Sequence, residues 1–393
     1  MPSERRVLLA VNGVTTAGVL PVFLFGGLAV QLRADLDLSE SAQGVITFGY
    51  FAMSALCSTT SGRATERFGP RRSMRAAAVL GAASAAMIAV ATSSMTLIVA
   101  LAVGGVANAL AQPAANALVV RNIAASRQGL ALGVKQAAIP TATLLAGLAV
   151  PTVGLTVGWR WAFVGAAVLS FSSVFAVPVT TETTEVATDL SRRGAPLRIR
   201  PLLVLALGVG LGSAMANALG AFTTSSAVAA GIGPGAAGAL LAVGSLLGLT
   251  MRIGSGWLAD RRGGEHLAAV AVMLTGGSVG LIGLSTGLPV MIVLGTLVAF
   301  GSGWSWPGVF NLAVVNHHPH APAASTGLTQ TGSYTGGALG PLAMGSLVQH
   351  HGYTTAWLTF AVVALLSAGV MLIARRMLET AGALHPVDDV VAV

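Results

Sequence analysis

Charge is scarce in this chain. Only 9% of its 393 residues are charged while 54% are hydrophobic, so a water-facing surface of ordinary polarity cannot be assembled from it. Cysteine is scarcer still: Cys57 stands alone, which rules out an internal disulfide and any cysteine-based metal cluster. Lys135 is the only lysine beside 20 arginines, and with the abundant Ala and Gly this hints at a GC-rich bacterial coding sequence. All 13 Asp and Glu residues can be placed outside the long apolar runs, which leaves no carboxylate at membrane depth. Walker loops, nucleophile elbows and zinc-binding helices are missing, so the sequence indicates neither catalysis nor a cofactor. The net charge is +8, yet the basic residues are scattered in short loops without interleaved aromatics, which argues against nucleic acid as a partner.

What the chain has is apolar length. A bilayer core about 30 Å thick needs about 20 apolar residues per helix, and twelve such runs are readable, from Leu8–Leu32 to Trp357–Ala374. Open sheets leave backbone groups unpaired in lipid, and the runs lack the alternation of a porin-like barrel, so the expected fold is an all-α membrane protein. The first run has no small-residue cleavage site before Arg33 and reads as a retained helix rather than a signal peptide. With both termini in the cytoplasm, external loops receive only Arg33 and Arg160, and the spans hold Lys135 and Arg252. The rest of the 21 basic residues then fall on the cytoplasmic side, as the positive-inside rule predicts. The expected location is a multi-pass protein of the cell inner membrane or plasma membrane.

A polar stretch in the middle divides the chain into a first six-helix bundle (1–180), a cytoplasmic linker (181–200), a second bundle (201–376) and a cytoplasmic tail (377–393). The bundles repeat each other at a constant offset of 194 residues. Gly26 matches Gly220, Gly44 matches Gly238, and Ser61-Gly62 matches Ser255-Gly256. The register continues through Arg67 with Arg261, Pro113 with Pro307, Asn122 with Asn316, Gln136 with Gln330 and Gly158 with Gly352. Isolated glycine matches carry little in a chain with 50 glycines. An ungapped register that includes Pro, Asn, Gln and Arg identities carries a good deal more. Two parallel halves related by an axis along the membrane normal place a solute site between them near the midplane.

Between the second and third runs the chain reads Gly62, Glu66, Arg67 and Gly69 at Gly-x-x-x-acid-Arg-x-Gly spacing, and between the eighth and ninth it reads Gly256, Asp260, Arg261 and Gly263. Both stretches resemble the loop signature of the major facilitator superfamily, and Gly158-Trp-Arg-Trp-Ala-Phe163 is similar to that family's lead into its sixth helix. The resemblance covers nearly the whole chain and implies twelve transmembrane helices in two pseudo-symmetric bundles, transport by alternating access, and a conformational latch built from these eight motif residues. The first copy has Glu66 where the family has Asp. The alternative for these residues is a solvated charge turn with no conformational role.

Inside the spans the charge is positive. Lys135 and Arg252 each lie about eight residues, or about 12 Å, along a helix from the cytoplasmic boundary. An unpaired cation at that depth costs about 2.5–3.5 kcal/mol on insertion scales, and with no acid in the spans a bound anion is the economical partner. The alternatives are snorkelling for Lys135, and a structural bond to helix-end carbonyls or to Asp260 for Arg252. Neutral candidates for a polar cavity are Gln136 and Gln330 at equivalent places, Tyr334 one turn later, Asn108 and Gln112 on one helix face, and Asn12, Asn217, Trp304, Trp306 and Asn311. The stretch from Arg252 to Asp260 is similar to monocarboxylate- and oxalate-type transporters, which implies a grip on a substrate carboxylate. The leading expectation is a monomeric secondary transporter for a small anion or organic acid, with the coupling ion left open. The runner-up is a drug or metabolite efflux antiporter, against which stands the weak match of Gly133 to Pro140 to that group's Gly-Pro run. A non-transporting membrane sensor is the third class. His317, His318 and His320 lack nearby acidic partners and are read as loop residues, not as metal ligands.

Overall fold

The computed structural model describes residues 4–124, 128–177, 199–262, 265–318 and 322–383, and among them the chain forms helices and turns without a strand. The first half comprises α1 (Glu4–Gly27), α2 (Ala29–Leu36), α3 (Glu40–Phe68), α4 (Pro70–Ala89), α5 (Ser94–Asn122), α6 (Gln128–Gln136), α7 (Ala138–Ala149) and α8 (Trp159–Ala176). The second comprises α9 (Ile199–Ala229), α10 (Pro234–Arg262), α11 (His266–Ser285), α12 (Pro289–Val298), α13 (Pro307–His317) and α14 (Pro322–Ala383). Helix α7 continues into a π-helical segment, Val150–Gly154, and α12 into another, Ala299–Gly303. Most of the linker, 181–198, and the tail from 384 lie outside the described residues. Helix α9 already begins at Ile199, and α14 runs on to Ala383, past the boundary read at 376.

Among the described residues nine helices are long and apolar enough to cross a membrane. One of them, α14, contains two passes, because Gly352 leaves the helical region at φ 78°. Helices α3 and α4 have the length to cross but are less apolar, carrying Arg63 and Arg67 at the end of one and Arg71, Arg72 and Arg75 at the start of the other. Counting α14 twice and including these two gives the twelve crossings of an all-α membrane bundle.

Local chemistry sets the ends. Ser39 caps α3 by accepting from the Ala42 amide, and Ser93 and Thr96 form a reciprocal capping box at α5. The repeat also persists in the backbone: Gly158 and Gly352, matched at the 194-residue offset, both take positive φ, 100° and 78°. A side chain there is strained, which is why both turns carry glycine.

The halves pack through small residues, as helices do when lipid supplies no hydrophobic drive between them. A methyl group at Gly147 of α7 would come within 2.5 Å of the Ala242 nitrogen of α10, and one at Gly44 of α3 within 2.5 Å of the Pro341 carbonyl oxygen of α14. Gly26 meets Ala221 in the same way. These contacts lie towards one face, called here the cap face, where α1 ends and α3 and α10 begin. Towards the opposite motif face, where α3 and α10 end, methyl groups at Gly62, Gly133, Gly256 and Gly327 would meet nothing within 4 Å. The halves are joined at the cap face and part towards the motif face.

Candidate functional site

The polar centre of the molecule forms around the break between α6 and α7. Pro140 has no N–H, so the carbonyl of Gln136, four residues earlier, has no donor from the helix. Arg252, on α10 of the other half, donates to that oxygen at 3.0 Å. Its second terminal nitrogen donates at 2.6 Å to the carbonyl of Trp304, where the α12–α13 crossing is interrupted ahead of Pro307. The guanidinium also lies 5.8 Å from the Trp304 ring centroid. It is 7% exposed, and its Nε is buried without a partner.

One residue before Gln136, Lys135 is equally buried. Its ammonium donates to Asn116 Oδ1 of α5 at 2.8 Å. Asn12 of α1 donates to the Val134 carbonyl at 2.8 Å. Asn12, Asn116, Lys135, Gln136, Arg252 and Trp304 therefore meet at one node reached by helices of both halves. No carboxylate among the described residues pairs with either cation.

Sequence reasoning pointed to Asn12, Lys135, Gln136 and Arg252, and the structure brings them together, although it uses the backbone oxygen of Gln136 rather than its amide. Asn116 was missed. It continues the Asn108, Gln112 spacing by one more turn of α5, a signal that was available. Asn108 and Gln112 themselves form an internal chain: Gln112 donates to Asn108 at 3.2 Å, and Asn108 donates to Ser54 of α3 at 3.2 Å. Asn217 donates to the Ser213 carbonyl of its own helix at 2.9 Å. Trp306 is packed within the second half against Gly212 and Phe310, away from the node, with its Nε1 unpartnered. Tyr334 is 9% exposed. Gln330 is exposed.

At the motif face Gly69 takes φ 85° and its amide donates to the Thr65 carbonyl at 3.0 Å, closing α3 in a conformation that favours glycine. Glu66 and Arg67 are exposed, and the Arg67 guanidinium lies 5.4 Å from the Phe68 ring centroid. Arg261 stacks similarly on Trp257 at 4.1 Å. Gly263, the Asp260 side chain and His320 lie outside the described residues. Gly62 and Gly256 have open space around them.

The Trp159-Arg160 pair at the start of α8 has a structural task. Asp35, at the end of α2, accepts from Arg160 at 2.5 Å and from Trp159 Nε1 at 3.2 Å, while Arg160 also donates to the Ala91 carbonyl between α4 and α5. The Arg160 and Trp159 hydrogen bonds hold the Asp35 carboxyl below the ordinary aspartate range.

Comparison with known sequences gives the family. The profile of the Major Facilitator Superfamily covers residues 11–341. The chain belongs to this superfamily. It is a multi-pass membrane transporter, and its family is one of transporters, not enzymes. It is similar to the chloramphenicol resistance protein of Streptomyces lividans, 28% identical over 343 residues that cover 84% of this chain and 85% of that one. It is also similar to a probable anion transporter of Oryza sativa subsp. japonica, 32% identical over 113 residues, 28% of this chain and 26% of the relative. A solved bacterial homologue of the human lysosomal transporter Spinster, inward-facing and unoccupied, shares the fold with a TM-score of 0.77 at 14% identity, over 97% of this chain and 99% of that one.

Proposed function

We propose that this superfamily member is a secondary active transporter that moves a small anion or organic acid between the two faces by alternating access, with the motif face and both termini in the cytoplasm. The observation that carries the reading is the pair of buried cations, Lys135 and Arg252, at the inter-half node without a carboxylate partner among the described residues. The two play different parts. Arg252 is held by carbonyls of both halves and ties them together, whereas Lys135 uses one of three N–H donors on Asn116 and has two for a solute anion. Glu66, Arg67, Asp260 and Arg261, with their motif glycines, act as the latch of the opposite arrangement, when the motif face closes.

Uptake of small carboxylates into proteoliposomes tests this. Lys135→Gln removes an ammonium without a counter-charge, so it should lower uptake at least tenfold while leaving the melting temperature equal or higher. Uptake retained in full by the variant, for every carboxylate that the parent protein moves, would sink the reading. A second reading, drug export, draws on the similarity to the chloramphenicol resistance protein along 84% of the chain. It is favoured if a deletion strain becomes drug-sensitive while its carboxylate uptake stays normal.

A further inference from the structure

Trp304 joins the Lys135 node through its carbonyl, while its ring, almost wholly buried, packs elsewhere. The indole lies one turn of α10 nearer the cap face than Arg252, where a methyl group at Gly248 would come within 3.5 Å of its Cε3. Its edge meets Phe23 of α1, in the other half, with centroids 6.1 Å apart and planes at 83°. Phe300, earlier in the same crossing, supports the indole at 4.8 Å. Glycine makes the slot: a methyl group at Gly220 of α9 would approach Phe23 to 3.0 Å and the indole to 3.6 Å. Phe23 shares a face of α1 with Asn12, which reaches the node, and stands about 16 Å further along the helix towards the cap face. The two rings therefore meet across the boundary between the halves on the cap side of the node. The glycine contacts of Gly44 and Gly147 bring main chains together, whereas the rings fill the space between the halves with side chains.

We propose that Trp304 is the cap-side gate of the transport path: its ring closes on Phe23 in this arrangement and parts from it when the cap face opens. Arg252, by holding the Trp304 carbonyl where the crossing is interrupted, positions that ring. The inference rests on the alternating-access part of the reading above and not on the charge of the solute. An edge-to-face pair stabilises the arrangement that contains it, so removing either ring shifts the population towards the cap-open one.

Spin labels at Thr156 and Thr286, exposed in cap-face turns of the first and second half, report cap opening in the purified full chain without solute, in a Cys57→Ala background. The parent protein should give one dominant distance. Trp304→Ala keeps the carbonyl for Arg252 and should raise the longer-distance population about two- to tenfold, the range for one aromatic pair. Phe23→Ala, which removes the partner ring from the other half, should do the same. Trp304→Phe should restore the parent distribution. Trp306→Ala removes another buried indole, one that packs within the second half, so it should lower the melting temperature and leave the distances unchanged. Melting curves establish which variants are folded. The proposal is overturned if either folded ring variant, Trp304→Ala or Phe23→Ala, keeps the parent distribution, if Trp304→Phe opens the cap face as alanine does, or if Trp306→Ala opens it as well. A parent protein that moves no carboxylate would sink the proposed solute but leave these distances as they are, so the two failures are told apart.

Discussion

Arg252 and Lys135 show how two buried cations separate by their geometry. The guanidinium presents donors on a rigid plane, and two carbonyl oxygens from different helices fit that plane at 3.0 and 2.6 Å. A lysine at the same place is a point charge on a flexible stem and cannot serve both at once. Arg252→Lys should therefore lower stability by about 1.5–3 kcal/mol, the scale for hydrogen bonds to a charged group, read as a fall in the detergent melting temperature. An unchanged melting curve would remove Arg252 from its role as a tie between the halves. The contrast with Lys135→Gln, where stability holds and uptake falls, makes the pair diagnostic.

At the scale of the helices, the bond from Asp35 to Arg160 joins the end of α2 to the start of α8, and the Ala91 carbonyl brings in the turn between α4 and α5. Because its partners depress the Asp35 carboxyl, the contribution to stability is present above the ordinary aspartate value and is lost as pH falls through the lower folded value. Asp35→Asn should reduce stability at pH 7 but make little difference once the pH has fallen below the lowered Asp35 value, where the carboxyl is protonated in the folded and unfolded chain alike. The side chains are 42% and 46% exposed, so the effect is at most about 1 kcal/mol. Paired melting curves at the two pH values check it, and an equal effect at both would refute the electrostatic account.

Much of this was legible in the sequence. Apolar runs announce crossings because lipid demands them, and the 194-residue register announced Gly158 and Gly352 as equivalent turns. The positions of Asn12, Lys135, Gln136 and Arg252 followed from their being polar where polarity is costly. What composition could not convey was orientation about the helix axis: Trp306 sits on a crossing that reaches the node through Trp304, yet two residues of rotation bury it in the second half. Nor could it convey that Gln136 acts through its main chain, since a side-chain reading assigns the amide.

For the molecule as a whole, contact at the cap face and separation at the motif face define one end of a transport cycle. Spin labels at positions 62 and 327, placed in a Cys57→Ala background, sample the separated face. Without solute one long distance should dominate, and with a transported carboxylate a second, shorter population should appear. Glu66→Gln, which weakens the proposed latch, should suppress that shorter population. A single distance, indifferent to solute and to the substitution, would count against alternating access in this chain.

The proline at the α6–α7 break has one more consequence, for heredity rather than for energy. Arg252 grips a main-chain oxygen whose availability is set at Pro140, so substitutions at Gln136 leave the acceptor intact. Replacing Pro140 restores an N–H that competes for it. Among homologues, position 252 should co-vary with 140 and drift independently of 136, so that the residue doing the gripping and the residue being gripped bear no mark of each other in the gene.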